Sequence, residues 1–127
     1  MSAGEKMAKK ILVIDDAPSI IQLMEYWLKE AGYQILIAKD GLEGYESAKK
    51  NKPDLIILDV MIPKLDGFSL CRLLKSDEQC RNIPIIIVTA REQKDDKELG
   101  RQAGANIYIE KPIEQDVLLG TIKKLLK

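Results

Sequence analysis

Five short apolar runs, rich in β-branched residues, recur along this chain at intervals that leave room for one helix between each pair. They are 11–14 (Ile-Leu-Val-Ile), 34–38 (Gln-Ile-Leu-Ile-Ala), 55–58 (Leu-Ile-Ile-Leu), 85–88 (Ile-Ile-Ile-Val) and 107–109 (Ile-Tyr-Ile). Four are continuous rather than alternating, as expected of strands buried on both faces of a parallel sheet. The second is poorer in apolar residues and is expected nearer an edge. A β-α-β-α order with short connections demands crossovers, so the sheet is parallel and the crossovers right-handed.

The intervening segments carry helical periodicity. In 18–31, Ile20, Met24, Trp27, Leu28 and Ala31 share one face, with Pro18 and Ser19 in the first turn and Gly32 as the stop. Leu42, Tyr45 and Ala48 form a shorter stripe, ended by Asn51 and Pro53. Gly67, Leu70, Cys71 and Leu74 form a third, entered through Asp66 as N-cap. The segment 91–103 is highly charged, with Leu99 and Ala103 as its main apolar anchors, and is expected to be the least firmly docked. The last helix, 113–126, presents Val117, Leu118, Ile122 and Leu125, widened by Leu119 and Leu126.

At 127 residues the chain has the length of one domain. Residues 1–9 read as a loose lead-in and 10–127 as the folded unit. Twenty basic and twenty acidic residues give zero formal net charge, which provides no overall field toward nucleic acid or an anionic membrane. No apolar run approaches the ~20 residues of a membrane span, and the first ten residues lack the apolar stretch of a signal peptide. Cys71 and Cys80 match no metal-binding spacing, so free thiols in a reducing, cytoplasmic setting are expected; Cys71 should pack inward, while Cys80 falls in a polar loop. There is no histidine, which excludes histidine acid–base chemistry, histidine metal ligation and phosphohistidine donation from this chain.

The chemistry is concentrated where strands end. Ile14 runs into Asp15-Asp16, Leu58 into Asp59, Val88 into Thr89, and Ile109 into Glu110-Lys111-Pro112. In a parallel sheet these ends share one edge, the edge at which open α/β folds bind ligands. If the strand order reverses between the first and third strands, Asp15, Asp16 and Asp59 converge. Clustered carboxylates either gain raised pKa values or share a cation, and an all-oxygen donor set suits Mg²⁺. A carboxylate nucleophile, Mg²⁺, a lysine and a threonine are suited to handling a phosphoryl group. Each residue also has an ordinary reading. Asp15-Asp16 could cap a helix, Asp59 could open a turn, Thr89 is a common strand residue, Lys111 could be a surface lysine, and Tyr108 could be core. A Mg²⁺-dependent phosphatase or phosphotransferase using Asp59, and a flavodoxin-like cofactor binder, remain open at this point. The first has no cap to enclose a substrate, and the second would set Asp15-Asp16 against a phosphate.

Taken in order, these pieces resemble the receiver domain of bacterial two-component response regulators. The matching pieces are Val13-Ile14-Asp15-Asp16, the run from Leu58-Asp59 to Pro63, Asp66-Gly67, Val88-Thr89-Ala90, Gly104-Ala105 and Lys111-Pro112, covering about residues 10–127. The resemblance implies a (βα)5 flavodoxin-like fold, a doubly wound five-stranded parallel sheet of order 2-1-3-4-5. A member of this family is itself a standard example of that architecture, so the strand order is carried over with the resemblance.

The resemblance further implies that Asp59 is the phosphoacceptor, charged by a sensor histidine kinase or phosphotransfer protein. Asp16 and Asp59 would bind Mg²⁺ directly together with the Met61 backbone carbonyl, and Asp15 would hold it through water. Lys111 would pair with the phosphate, and with Asp59 beforehand. Thr89 would move toward a phosphate oxygen while Tyr108 rotates inward, and the Lys111–Pro112 bond would be cis. Met61 and Arg91, two positions after Asp59 and Thr89, would tune the acyl-phosphate lifetime. The chain would be a switch rather than a turnover enzyme. Its output would be the surface of the fourth helix, fifth strand and fifth helix, with Leu119 as a candidate contact. A downstream protein, an output domain or a second copy in a homodimer would read that surface, with no direct nucleic-acid or membrane contact. Asn106 at the fifth strand and the absence of arginine from the fifth helix depart from the subgroup attached to winged-helix DNA-binding domains.

Overall fold

The structure is a computed structural model that describes residues 8–89 and 94–127, residues 94–96 by backbone alone. Ten elements alternate: β1 (Lys10–Ile14), α1 (Pro18–Glu30), β2 (Gln34–Ala38), α2 (Gly41–Asn51), β3 (Leu55–Asp59), α3 (Gly67–Ser76), β4 (Ile85–Thr89), α4 (Lys94–Ala103), β5 (Ile107–Glu110) and α5 (Gln115–Leu125). All four strand pairings are parallel, and the order across the sheet is β2-β1-β3-β4-β5. The expected edge strand β2 does lie at an edge.

Successive side chains of a strand face opposite sides of the sheet. Leu12, Ile14, Ile56, Leu58, Ile85 and Ile87 therefore enter one core, with Ala48 of α2, Leu70 and Leu74 of α3 and Ala103 of α4. Ile11, Val13, Leu55, Ile57, Ile86 and Val88 enter the other, with Met24 and Leu28 of α1 and Leu118 and Ile122 of α5. Two helix layers bury both faces, which is why the three central strands are apolar without alternation.

The helices differ from expectation in which residues they turn inward. In α1 the buried positions are Ile21, Met24 and Leu28; Ile20 and Trp27 pack from the flank, and Ala31 is an exposed C-cap. In α2 the inward face is Gly41, Gly44 and Ala48, while Leu42 is 54% exposed. The helix lies too close to β1 for a large residue there. A Cβ at Gly44 would stand 2.7 Å from Cδ1 of Ile14. In α5, which begins at Gln115 rather than 113, Leu118 and Ile122 are buried and Val117 is 49% exposed. Leu99 of α4 is likewise exposed, and Gly100 and Ala103 form the helix's buried side. Cys71 packs inward as expected. Cys80 does too, because the α3–β4 connection folds its amide onto the Asp77 carbonyl and its carbonyl onto the Ile83 amide (3.0 and 2.9 Å), turning the thiol into the core.

Candidate functional site

β1 and β3 are adjacent, β2 lies on one side of them and β4 on the other, so the chain's course reverses between them. Helices from the two layers leave on opposite sides there, and the C-terminal ends of β1 and β3 border a crevice. Asp15 and Asp16 follow β1 and Asp59 ends β3; one carboxylate oxygen from each lies within 4.8 Å of the others. Asp15 and Asp59 are buried and Asp16 is exposed.

Asp15 is oriented by backbone. Its amide donates to the Ala38 carbonyl (3.0 Å), and its Oδ1 accepts from the Ala17 amide (2.9 Å). That bond closes a turn ahead of α1 and does not realise the helix-capping reading, since the N-cap is Ala17 and the helix has no side-chain cap. Asp59 Oδ1 accepts a long bond from the Met61 amide (3.4 Å). Lys111, the residue after β5 and joined to Pro112 by a cis peptide bond, places Nζ 3.7 Å from both Asp15 Oδ2 and Asp59 Oδ2. Its backbone amide donates to the Thr89 carbonyl (2.7 Å), which ties the lysine to the end of β4.

These charges do not balance. Burial holds the Asp59 carboxyl above its ordinary range, the negative charge of Asp15 adds to this, and Asp16 contributes a little more; Lys111 and the Met61 amide oppose the shift. The donor set is three carboxylate oxygens with no nitrogen or sulfur, the chemistry that suits a hard divalent cation.

Thr89 is fully buried at the end of β4, one residue beyond Val88, which pairs with Asp59. Tyr108 is half-buried on β5 opposite Ile87 and packs against the α2–α3–α4 core. A Cβ at Gly100 of α4 would stand 3.1 Å from Tyr108 Cδ2, so the ring lies against that helix. Met61 is 60% exposed at the mouth. Beside it an open groove of about 550 Å³ is lined by Asp16, Met61, Ile62, Asp66 and Phe68, among others. Arg91 lies outside the described residues.

Sequence reasoning missed the glycines that let backbone approach this site. A Cβ at Gly67 would stand 2.6 Å from both the Asp59 carbonyl oxygen and the Val60 Cα. The pattern Asp66-Gly67 marked the spot but not the reason. It also missed the N-cap at Asp40, whose Oδ1 accepts from the Glu43 amide (2.8 Å), although an acid followed three residues later by glutamate was legible as a helix start.

Residues 11–123 match the family model described as the response regulator receiver domain. The chain belongs to that family. Among curated relatives, the receiver is 43% identical over 121 residues to the alkaline phosphatase synthesis transcriptional regulatory protein PhoP of Bacillus subtilis, covering 95% of this chain and 50% of that protein. It is 38% identical to protein PilH of Pseudomonas aeruginosa, covering 92% of this chain and 97% of that one. The chain thus spans about half the length of PhoP and nearly all of PilH. Among solved structures, chemotaxis protein CheY4 of Vibrio cholerae superposes with a TM-score of 0.88 at 32% identity, covering 94% of this chain and all of that one. The receiver domain of a sensor histidine kinase from Pseudomonas aeruginosa, solved with a magnesium ion coordinated in its active-site cleft, gives the same TM-score and identity over 94% and 98%. Among the described residues no helix is long and apolar enough to cross a membrane.

Proposed function

We propose that this receiver is a switch that accepts a phosphoryl group on Asp59 and relays the change to its α4–β5–α5 surface. The observation that carries this reading is the Lys111 ammonium held equidistant from Asp15 and Asp59 beside a third carboxylate. Asp59 Oδ would attack the phosphorus of a phosphohistidine on a sensor kinase or phosphotransfer protein. The P–N bond breaks, and its electron pair leaves with the imidazole nitrogen, which takes up a proton. A carboxylate can form an acyl phosphate directly, and Asp59 at the end of β3 would be that nucleophile. Asp16, Asp59 and the Met61 carbonyl would hold Mg²⁺, with Asp15 behind them; the ion supplies charge neutralisation for the transferring phosphoryl oxygens.

After transfer the new oxygens need donors. Lys111 is already in place, and Thr89 stands at the adjacent strand end. Movement of Thr89 would free the space into which Tyr108 turns, and Tyr108 lies against Gly100, so α4 feels the change. Inverting a mostly-off population takes about 5.5 kcal/mol. Two or three charge-assisted hydrogen bonds, at about 1.5–3 kcal/mol each, reach that range. Leu99, Ile107 and Val117 are exposed apolar residues on α4, β5 and α5, which suits a surface read by a protein partner, an output domain or a second copy in the cytoplasm; Leu119, expected to join that surface, instead lines a groove with Ala31 and Tyr33 on the α1 side of α5.

Incubation with acetyl phosphate and Mg²⁺ followed by intact mass measurement tests the proposal. One added phosphate, absent from Asp59→Asn, is the expected result. Sustained phosphate release from many small phosphoesters would instead identify a phosphatase, and bound flavin absorbance a cofactor carrier.

A further inference from the structure

The loop joining β3 to α3, residues 60–66, contains the Met61 carbonyl assigned above to the metal. This loop is seated on the N-terminus of α2. The Gly41 amide donates to the Pro63 carbonyl (3.1 Å), which also accepts from the Leu65 amide (2.8 Å). Lys64 holds a left-handed φ of +72°, and its Nζ reaches the Asp40 carboxylate at 3.5 Å. At the other end the Gly67 amide closes onto the Val60 carbonyl (2.9 Å).

The approach at Gly41 leaves no room for a side chain. A Cβ there would stand 2.3 Å from the Leu65 carbonyl oxygen and 2.5 Å from Leu65 Cβ. Neither atom can rotate away, because one is main chain and the other is fixed to it. Gly41 does not have the positive φ of Gly32 and Gly104, so its own backbone does not require glycine. The missing side chain serves the contact. On either side of Met61 the loop has little slack: Val60 and Ile62 are buried in the core, and the Ile62 amide is bonded to the Val60 carbonyl (3.2 Å).

We propose that Gly41 is a positioning residue for the metal site: by seating Leu65 and Pro63 on α2, it sets where the Met61 carbonyl stands relative to Asp16 and Asp59, and hence the affinity for Mg²⁺. This rests on the metal reading above and extends it to a residue on another element. A shift of Leu65 passes back along the loop to Met61, while Asp15, Asp16 and Lys111 stay in place on other segments.

The test is Mg²⁺ titration of the unphosphorylated chain by calorimetry, with thermal unfolding in EDTA run alongside. Gly41→Ala should bind Mg²⁺ about tenfold more weakly, as for other residues that hold a ligand in place. Gly44→Ala is the control. It crowds the same helix, but against the far end of the Ile14 side chain rather than a backbone. Its unfolding temperature should change and its Mg²⁺ affinity should not. A folded Gly41→Ala with wild-type affinity overturns the proposal, as does equal weakening by both substitutions. If Gly41→Ala does not fold, Leu65→Gly decides: it removes the Cβ that seats on Gly41 and loosens the loop at unchanged charge, so weaker binding supports the proposal and unchanged binding overturns it. Absence of Mg²⁺ binding by the wild type would overturn the metal reading as well, and so separates the two failures.

Discussion

Replacing Lys111 by methionine keeps the length and apolar stem of the side chain and removes the ammonium that faces two buried carboxylates. Each Nζ–Oδ2 separation is 3.7 Å. At an effective dielectric constant of ~20 each contact is worth about 4.5 kcal/mol before desolvation. The ammonium is largely buried, with a side-chain exposure of 19%, so its own desolvation offsets several kcal/mol of that attraction. Removing one partner of a buried pair leaves uncompensated charge, and the expected loss is about 3 kcal/mol at pH 7 in EDTA. At about 2.1 cal/mol/K per residue of unfolding entropy, this lowers the melting temperature by about 11 °C. The pH dependence is the sharper signature. Lys111 is one of the influences holding the Asp59 pKa down, so the variant's Asp59 titrates higher still. The penalty exists only while the carboxylates are charged. It should be full at pH 7 and shrink as pH falls through the variant's Asp59 titration. Urea unfolding of both proteins at several pH values between 4 and 8 measures it. A pH-independent loss would mean that lost packing, not charge, dominates; no loss at all would refute the electrostatic account of the site.

Three further outcomes are expected. Asp59 has a folded pKa above its unfolded value, so the stability linked to its protonation is present below the ordinary carboxyl range and is lost as pH rises through the folded value. Asp59→Asn should therefore melt higher than wild type at pH 7 in EDTA, by about 4 °C for each kcal/mol relieved, with the gap closing toward pH 4; a lower melting temperature at pH 7 contradicts this. Gly67→Ala forces a methyl to 2.6 Å from the Asp59 carbonyl oxygen and should cost about 1–3 kcal/mol in denaturant unfolding, and a neutral result would show that α3 can back away from β3. Burial pushes the Cys71 thiol up to about 11 and raises that of Cys80, so neither should react quickly with a thiol-disulfide reagent at pH 8 until urea unfolds the chain. Rapid labelling in native buffer would refute the buried placement.

The strands were legible because a strand covered on both faces must be apolar at every position, a rule that Leu55–Leu58 and Ile85–Val88 obey residue by residue. The clustered aspartates were legible for the complementary reason. A buried run that ends abruptly in Asp15-Asp16 or Asp59 puts charge where burial alone would not. The Asp66 cap was legible too, and its side chain accepts from the Ser69 amide (3.0 Å). Helix faces were harder. Leu42 and Val117 satisfy helical periodicity yet face outward, since periodicity marks which residues share a stripe and not how close the sheet comes beneath them.

Local patterning along the chain set the alternation of strands and helices, the apolar layers and the polar residues at the strand ends, because these depend on neighbours a few positions apart. Distances across the crevice depend on strands far apart in sequence coming into register. Only the folded arrangement brings Lys111 equally near two carboxylates, makes Asp59 harder to ionise than an exposed acid, and seats residues 60–66 on a glycine of another helix. Close approach of backbones leaves no mark in a sequence beyond the letter G, and what that letter permits is known only when the opposing surface is in place.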